Sequence, residues 1–135
     1  SCFMQNFKLN DAMANFLTLE DSAKLYDATM RHWNEYNRVL HLNVGQLKYE
    51  DLTQDLQATV TPLLNFLDLE WDDNLLNYQQ TALSRGTINT PSYNQVTQKL
   101  YTQANGRWKN YQEQMRGISS WLDPWVDYFN YTEIP

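Results

Sequence analysis

Apolar residues recur at helical spacing over most of this chain. Ala23, Tyr26, Met30, Trp33 and Leu40 follow a period near 3.6 residues, which predicts a long amphipathic helix over about residues 19–40. Thr18 is placed to cap it, with Glu20 and Asp21 in the first turn, where carboxylates meet the positive end of the helix. Asn43 and Gly45 then break the period. Val44, Leu47 and Tyr49 bracket one short strand, which Glu50-Asp51 ends. Leu56, Val60, Leu63, Leu64 and Leu67 mark the inner face of a second helix over about 54–68. Pro62 lies inside that pattern and removes one helical hydrogen bond, so the helix either starts late or kinks there. Trp71-Asp72-Asp73-Asn74 opens a short helix through Leu75, Leu76 and Tyr78. Gly86 and Pro91 punctuate a loop over 84–93, and two further helices are predicted near 93–115 and 118–130.

The predicted fold class is therefore mainly α with one isolated strand. A single strand cannot make a sheet, so its partners are expected in an N-terminal portion outside this sequence. The opening residues agree, because Phe3, Phe7 and Met4 fall on one helical face and are too apolar for a free tail. No internal repeat or low-complexity tract is visible.

Composition narrows the classes. The chain has 135 residues, 42% apolar and 14% aromatic, with five Trp and nine Tyr, which argues for a folded single domain rather than disorder. A net charge of −6 and a pI near 4.7 argue against non-specific binding to nucleic acid or a membrane surface. No stretch has the apolar length of a membrane span. The lone cysteine, Cys2, makes no internal disulfide and gives no sign of an oxidising compartment, so a cytoplasmic protein is expected.

The candidate chemistry lies in two polar stretches. One is Tyr49-Glu50-Asp51-Leu52. The other runs from Thr90-Pro91-Ser92-Tyr93-Asn94-Gln95-Val96 to Gly106-Arg107-Trp108-Lys109. Ser92 precedes a predicted helix, where a hydroxyl and backbone N–H groups can hold an anion. Arg107 offers a planar fork that matches phosphate oxygens, and with Lys99 and Lys109 it forms a local positive cluster in an acidic protein. Each residue also has a plain structural role open to it. Ser92 can be an N-cap. Arg107, Lys109 and Glu113 can form a solvated face with an i,i+4 pair. Trp108 and Tyr111 can be packing, Tyr49 can fill core, and Glu50-Asp51 can simply start the following helix. Elsewhere, Asp72-Asp73 reads as a charged helix start, and His32 and His41 lack a metal-site spacing, so no metal is expected. Cys2 has nothing to orient a base beside it. Asn130-Tyr131-Thr132 matches a glycosylation sequon by its residues alone. The aromatic run from Trp121 through Trp125, Tyr128 and Phe129 reads as the docking face of a helix.

Leu47-Lys48-Tyr49-Glu50-Asp51-Leu52, followed by Leu63-Leu64-Asn65-Phe66-Leu67-Asp68-Leu69-Glu70-Trp71, resembles the "YEDL … FLGLxW" pattern of sulfotransferases. Ser92-Tyr93-Asn94-Gln95-Val96 with Arg107-Trp108 is similar to the "SxxQV … (K/R)W" stretch of tyrosylprotein sulfotransferases, and the Gln95-to-Trp108 spacing fits as well. Thr90-Pro91-Ser92-Tyr93 with Gly106-Arg107-Trp108 and Tyr111 most resembles bacterial sulfotransferases that carry tetratricopeptide repeats. Ser1-Cys2-Phe3 resembles the residues after that family's "RxPxDxxxS" phosphate motif. The order and spacing of these motifs cover essentially the whole chain.

The resemblance implies the C-terminal portion of a P-loop-like α/β sulfotransferase, which moves a sulfuryl group from 3′-phosphoadenylyl sulfate to a hydroxyl or amine. By that pattern Ser1 would contact the 3′-phosphate, Tyr49 would line the nucleotide site and Arg107 would meet a phosphate. Ser92 would sit near the bridging phosphosulfate as the catalytic candidate. Tyr93, Gln95 and Tyr101 would belong to the stretch that wraps the nucleotide. The chain departs from the family in lacking the glycine-containing loop for the 5′-phosphosulfate, the general base, and the arginine expected eight residues before Ser1. It is therefore expected to be inactive alone, with the missing portion of the same protein as its partner and self-association through exposed apolar faces. The alternative is a non-enzymatic helical interaction module that binds a partner through aromatic faces.

Overall fold

The longest helix begins where its cap residue predicts. In the computed structural model, which describes residues 2–4, 8–84, 100, 102 and 105–131, α1 spans Leu19–Leu40. The Thr18 hydroxyl accepts from the Asp21 amide at 3.0 Å and donates to the Asp21 carboxylate at 2.7 Å. One side chain thus satisfies an orphan donor of the first turn, and it holds a carboxylate near the positive helix end. His41, in the left-handed region, stops the helix.

The chain divides into two units, residues 1–42 with 106–135, and residues 43–105. In the first, α1 packs against the helix Ser119–Tyr128. Trp125 joins them. Its ring is buried, and its indole N–H donates to the Asp27 carboxylate at 2.9 Å. Arg31 Nε donates to both oxygens of the same carboxylate at 3.0 and 2.8 Å. Tyr26 meets Trp125 edge-on at 6.5 Å between centroids, and Tyr128 meets it at 5.8 Å. The aromatic run therefore docks a helix, as its spacing predicts. Buried apolar side chains are few among the described residues, namely Ala23, Ile118 and Trp125.

The second unit carries the three remaining helices that are long enough to name: α2, Tyr49–Gln54; α3, Leu56–Phe66; and α4, Tyr78–Ser84. Asp55 ends α2 and caps α3, its carboxylate accepting from the Ala58 amide at 2.9 Å. Pro62 stands in the interior of α3, well past the first turn. Asp72 caps a short 3₁₀ helix, Asp73–Asn77, that leads into α4.

The predicted strand is not there. Residues 42–48 are irregular, Tyr49 opens α2, and no strand occurs among the described residues. A strand is held by ladder hydrogen bonds to a neighbour, and no described segment supplies one. The segment instead leans on α3, and a Cβ added at Gly45 would lie 2.9 Å from the Phe66 ring and 3.2 Å from Leu63. The observed class is mainly helical. The predicted helix over 93–115 also needs revision in its described part. Gly106, at φ +64, precedes a 3₁₀ helix over Arg107–Tyr111, a short α-helix over Gln112–Met115 and a 3₁₀ turn over Arg116–Ile118. Tyr111 leaves helical geometry at φ −124, ψ 19, and so breaks the run. The loop predicted over 84–93 lies outside the described residues beyond Ser84.

Candidate functional site

Lys48 precedes α2 in extended geometry, and Tyr49 is the first helical residue, 37% exposed. Glu50 and Asp51 occupy the first turn, so their carboxylates face the helix's positive end rather than a strand terminus. Thr53 follows Tyr49 by four residues, on the same face one turn on. Its hydroxyl donates to the Glu50 carbonyl at 2.8 Å and accepts from the Asn105 side-chain amide at 2.9 Å. The other end of that amide, Asn105 Oδ1, is buried and has no hydrogen-bond partner.

The Asn105 amide N–H closes a turn onto the Thr102 carbonyl at 2.9 Å. Gly106 then adopts the left-handed conformation, which glycine reaches without steric penalty. Arg107 opens the 3₁₀ helix that follows, and the Lys109 amide N–H donates back to the Gly106 carbonyl at 3.0 Å. The Arg107 side chain is exposed, as are Trp108 and Tyr111, whose rings are therefore not core packing. Glu113 pairs with Arg116 at 3.2 Å rather than forming an i,i+4 pair with Lys109.

Tyr49 and Arg107 are thus the described members of the predicted site, and they belong to different units. Ser1, Ser92, Tyr93, Gln95 and Tyr101 lie outside the described residues. A tether that sequence reasoning missed stands next to that stretch. The Leu100 amide N–H donates to the Tyr78 hydroxyl at 2.6 Å, which ties the chain at Leu100 to the start of α4. Thr53 and Asn105 were missed too, since a lone Thr in a helix and an Asn before Gly both read as local turn chemistry.

A carboxyl held below its usual range stands elsewhere. The Arg31 guanidinium holds the Asp27 carboxyl below the usual carboxylate range and the Trp125 indole adds to this, against burial, which pushes it up. Arg31 pairs with it within α1 and Trp125 reaches it from the helix Ser119–Tyr128, so this is an anchoring contact. Among the described residues no group of three or more His, Cys, Asp or Glu side chains is arranged to hold a metal ion. None of the described helices is long and apolar enough to cross a membrane.

A sequence model described as "Sulfotransferase family" matches residues 1–73. An uncharacterized protein of Aquifex aeolicus (strain VF5) is 25% identical over 116 residues, an alignment that covers 80% of this chain and 14% of that protein. The chain thus spans a small part of that relative's length. No solved structure matches it.

Proposed function

This chain belongs to the sulfotransferase family, and from that membership we propose that it supplies part of the nucleotide site of an enzyme that moves a sulfuryl group from 3′-phosphoadenylyl sulfate to a hydroxyl or amine. The observation that carries the reading is the family match over residues 1–73, which includes Tyr49 and all of α2 and α3. In this reading the fragment comes from a P-loop-like α/β domain, nearest to the tetratricopeptide-repeat and tyrosylprotein sulfotransferases. The donor is a co-substrate and no metal is needed.

The roles follow from charge and from the family resemblance. The donor carries several negative charges, and its leaving group gains charge as the sulfuryl group departs, so donors aimed at that charge lower the barrier. Arg107 meets a phosphate with its fork. Tyr49 lines the nucleotide, Ser92 donates toward the bridging oxygen, and Ser1, Tyr93, Gln95 and Tyr101 complete the nucleotide contacts. The acceptor's proton goes to a base that this chain does not identify.

Calorimetric titration with 3′-phosphoadenosine tests the proposal. Binding should be measurable, and Arg107→Ala should weaken it by roughly 1.5–3 kcal/mol, the range for a hydrogen bond to a charged group. Equal binding by both proteins, or by neither, would overturn the assignment. The thin apolar core and the exposure of Leu17, Leu40, Leu42, Leu69 and Trp108 favour a second reading, a helical module that binds a partner protein. That reading expects no nucleotide binding.

A further inference from the structure

Leu25, Ala28, Thr29, His32, Trp33 and Tyr36 line an open groove of about 480 Å³ along α1. The contact between α1 and the helix Ser119–Tyr128 runs through Asp27, which at about 100° per residue stands on the opposite side of α1 from Leu25, His32 and Tyr36. The groove therefore faces away from that packing. Its two polar side chains are tied back to their own helix. The Thr29 hydroxyl donates to the Leu25 carbonyl at 2.8 Å, and His32 Nδ1 lies 2.7 Å from the Ala28 carbonyl, where the ring nitrogen donates. Covering the groove leaves both of these donors partnered.

The lining positions are symmetric about a point between Met30 and Arg31. Leu25 and Tyr36, Ala28 and Trp33, and Thr29 and His32 lie at equal distances on either side of it. A second α1 laid antiparallel across that point sets Ala28 against Trp33 and Leu25 against Tyr36, small against large, and opposes the two helix dipoles. A parallel pair would set Trp33 on Trp33 and Lys24 on Lys24. The charges agree with the antiparallel register. Lys24 and Glu35 lie on one flank of the groove, each exposed and paired on its own helix, with Glu20 and Arg38. Across the two-fold, Lys24 meets Glu35 of the second copy, twice. Arg31, near the axis, is held by Asp27 on the far side.

We propose that this groove is the interface of a two-fold homodimer in which α1 packs antiparallel on α1 of a second copy. The seam from Leu25 to Tyr36 is roughly 16 Å long at 1.5 Å per residue. That is short for an interface, so the dimer is weak, micromolar or weaker. It does not depend on the nucleotide-site reading.

The test uses the whole chain, with light scattering to follow its mass against concentration. The mass should level off at two copies, because an isologous interface closes on itself. Lys24→Glu and Glu35→Lys should each weaken the dimer roughly five- to ten-fold, and an equimolar mixture of the two should associate as tightly as the parent. Orientation is read by disulfide trapping in a Cys2→Ser background. Leu25→Cys mixed with Tyr36→Cys should give the mixed disulfide, whereas neither should link to itself, since like positions are roughly 16 Å apart along the axis. Circular dichroism checks folding, and if a cysteine variant loses helix the two exposed charge variants decide. A monomer at every concentration, as when another segment or partner covers the groove, overturns the dimer. So do growth beyond two copies, self-linking of Tyr36→Cys, or a charge mixture no tighter than its components.

Discussion

Asp27 ties α1 to the helix Ser119–Tyr128 in the first unit. It is 5% exposed, yet it remains charged because Arg31 and Trp125 donate to it from two helices. Trp125→Phe keeps an aromatic ring but withdraws the indole N–H, so a carboxylate oxygen in a buried position loses a donor. Its melting temperature should fall by several degrees, and Trp125→Ala, which also opens a cavity, should destabilise by about 3–5 kcal/mol in a urea titration. The pH dependence has a defined sign. The folded carboxyl titrates below its unfolded value of about 3.9, so its contribution is complete above that pH and is lost as the pH falls through the lower folded value. The stability difference between the parent and Asp27→Asn should therefore hold from neutral pH to about pH 5 and shrink below about pH 4. Glu35, also held low by its Arg38 partner, is common to both proteins and cancels in the difference. A difference that grows on acidification would contradict this account. Sequence pattern foretells that Trp125 sits on a docking face. It does not reveal Asp27, because an aspartate in an amphipathic helix reads as solvated and its partner lies 98 positions away.

Helix ends separate what is legible from what is not. The start of α1 could be read directly, since an N-cap is a local contact between Thr18 and a residue three positions on. The start of α2 could not, because Val44, Leu47 and Tyr49 bracket a short apolar run that reads as a strand, and only a ladder partner would have made it one. The stops were hidden for another reason. α3 ends with Asp68 at φ +55; its amide N–H donates to the Asn65 carbonyl, and that of Leu69 donates to Leu64. The last helix repeats this motif at Asn130, with amides 130 and 131 donating to Asp127 and Val126. Glycine is the usual residue at this position, so neither stop carried its common signal. Asp68→Gly should stabilise the chain by roughly 0.5–1 kcal/mol, since it relieves the left-handed strain and removes a negative charge from a helix C-terminus. Gly45→Val should act the other way, because its side chain would enter the space held by Phe66 and Leu63. Chemical denaturation of both variants checks the pair, and an Asp68→Gly protein less stable than the parent would contradict the strain argument.

At the scale of the whole molecule, the family is legible in motif order while the site is not. The Tyr49-to-Trp71 stretch identifies sulfotransferases by residue type and spacing, and the family match covers it. A binding site depends on which side chains converge, and spacing along a chain does not determine that. The helical pattern does foretell that Tyr26, Met30 and Trp33 share a face of α1, but not how little covers them. Tyr26 is 42% exposed, Met30 and Trp33 are half-buried, and Leu25, Ala28, Thr29, His32, Trp33 and Tyr36 line an open groove of about 480 Å³ along the helix. An open apolar surface of this kind favours association in water, since each 100 Å² removed from solvent contributes about 2.5 kcal/mol before the entropy of association is subtracted. We expect the isolated chain to self-associate at micromolar or higher concentration, with light scattering giving a mass that rises with concentration. Trp33→Glu with Tyr36→Glu places two charges in the groove and should shift the protein toward monomer without lowering the helical signal in circular dichroism, because both side chains lie away from the Asp27–Trp125 contact in sequence and pairing. A parent chain that stays monomeric across that range would show that the exposed face of α1 is tolerated in water and needs no cover.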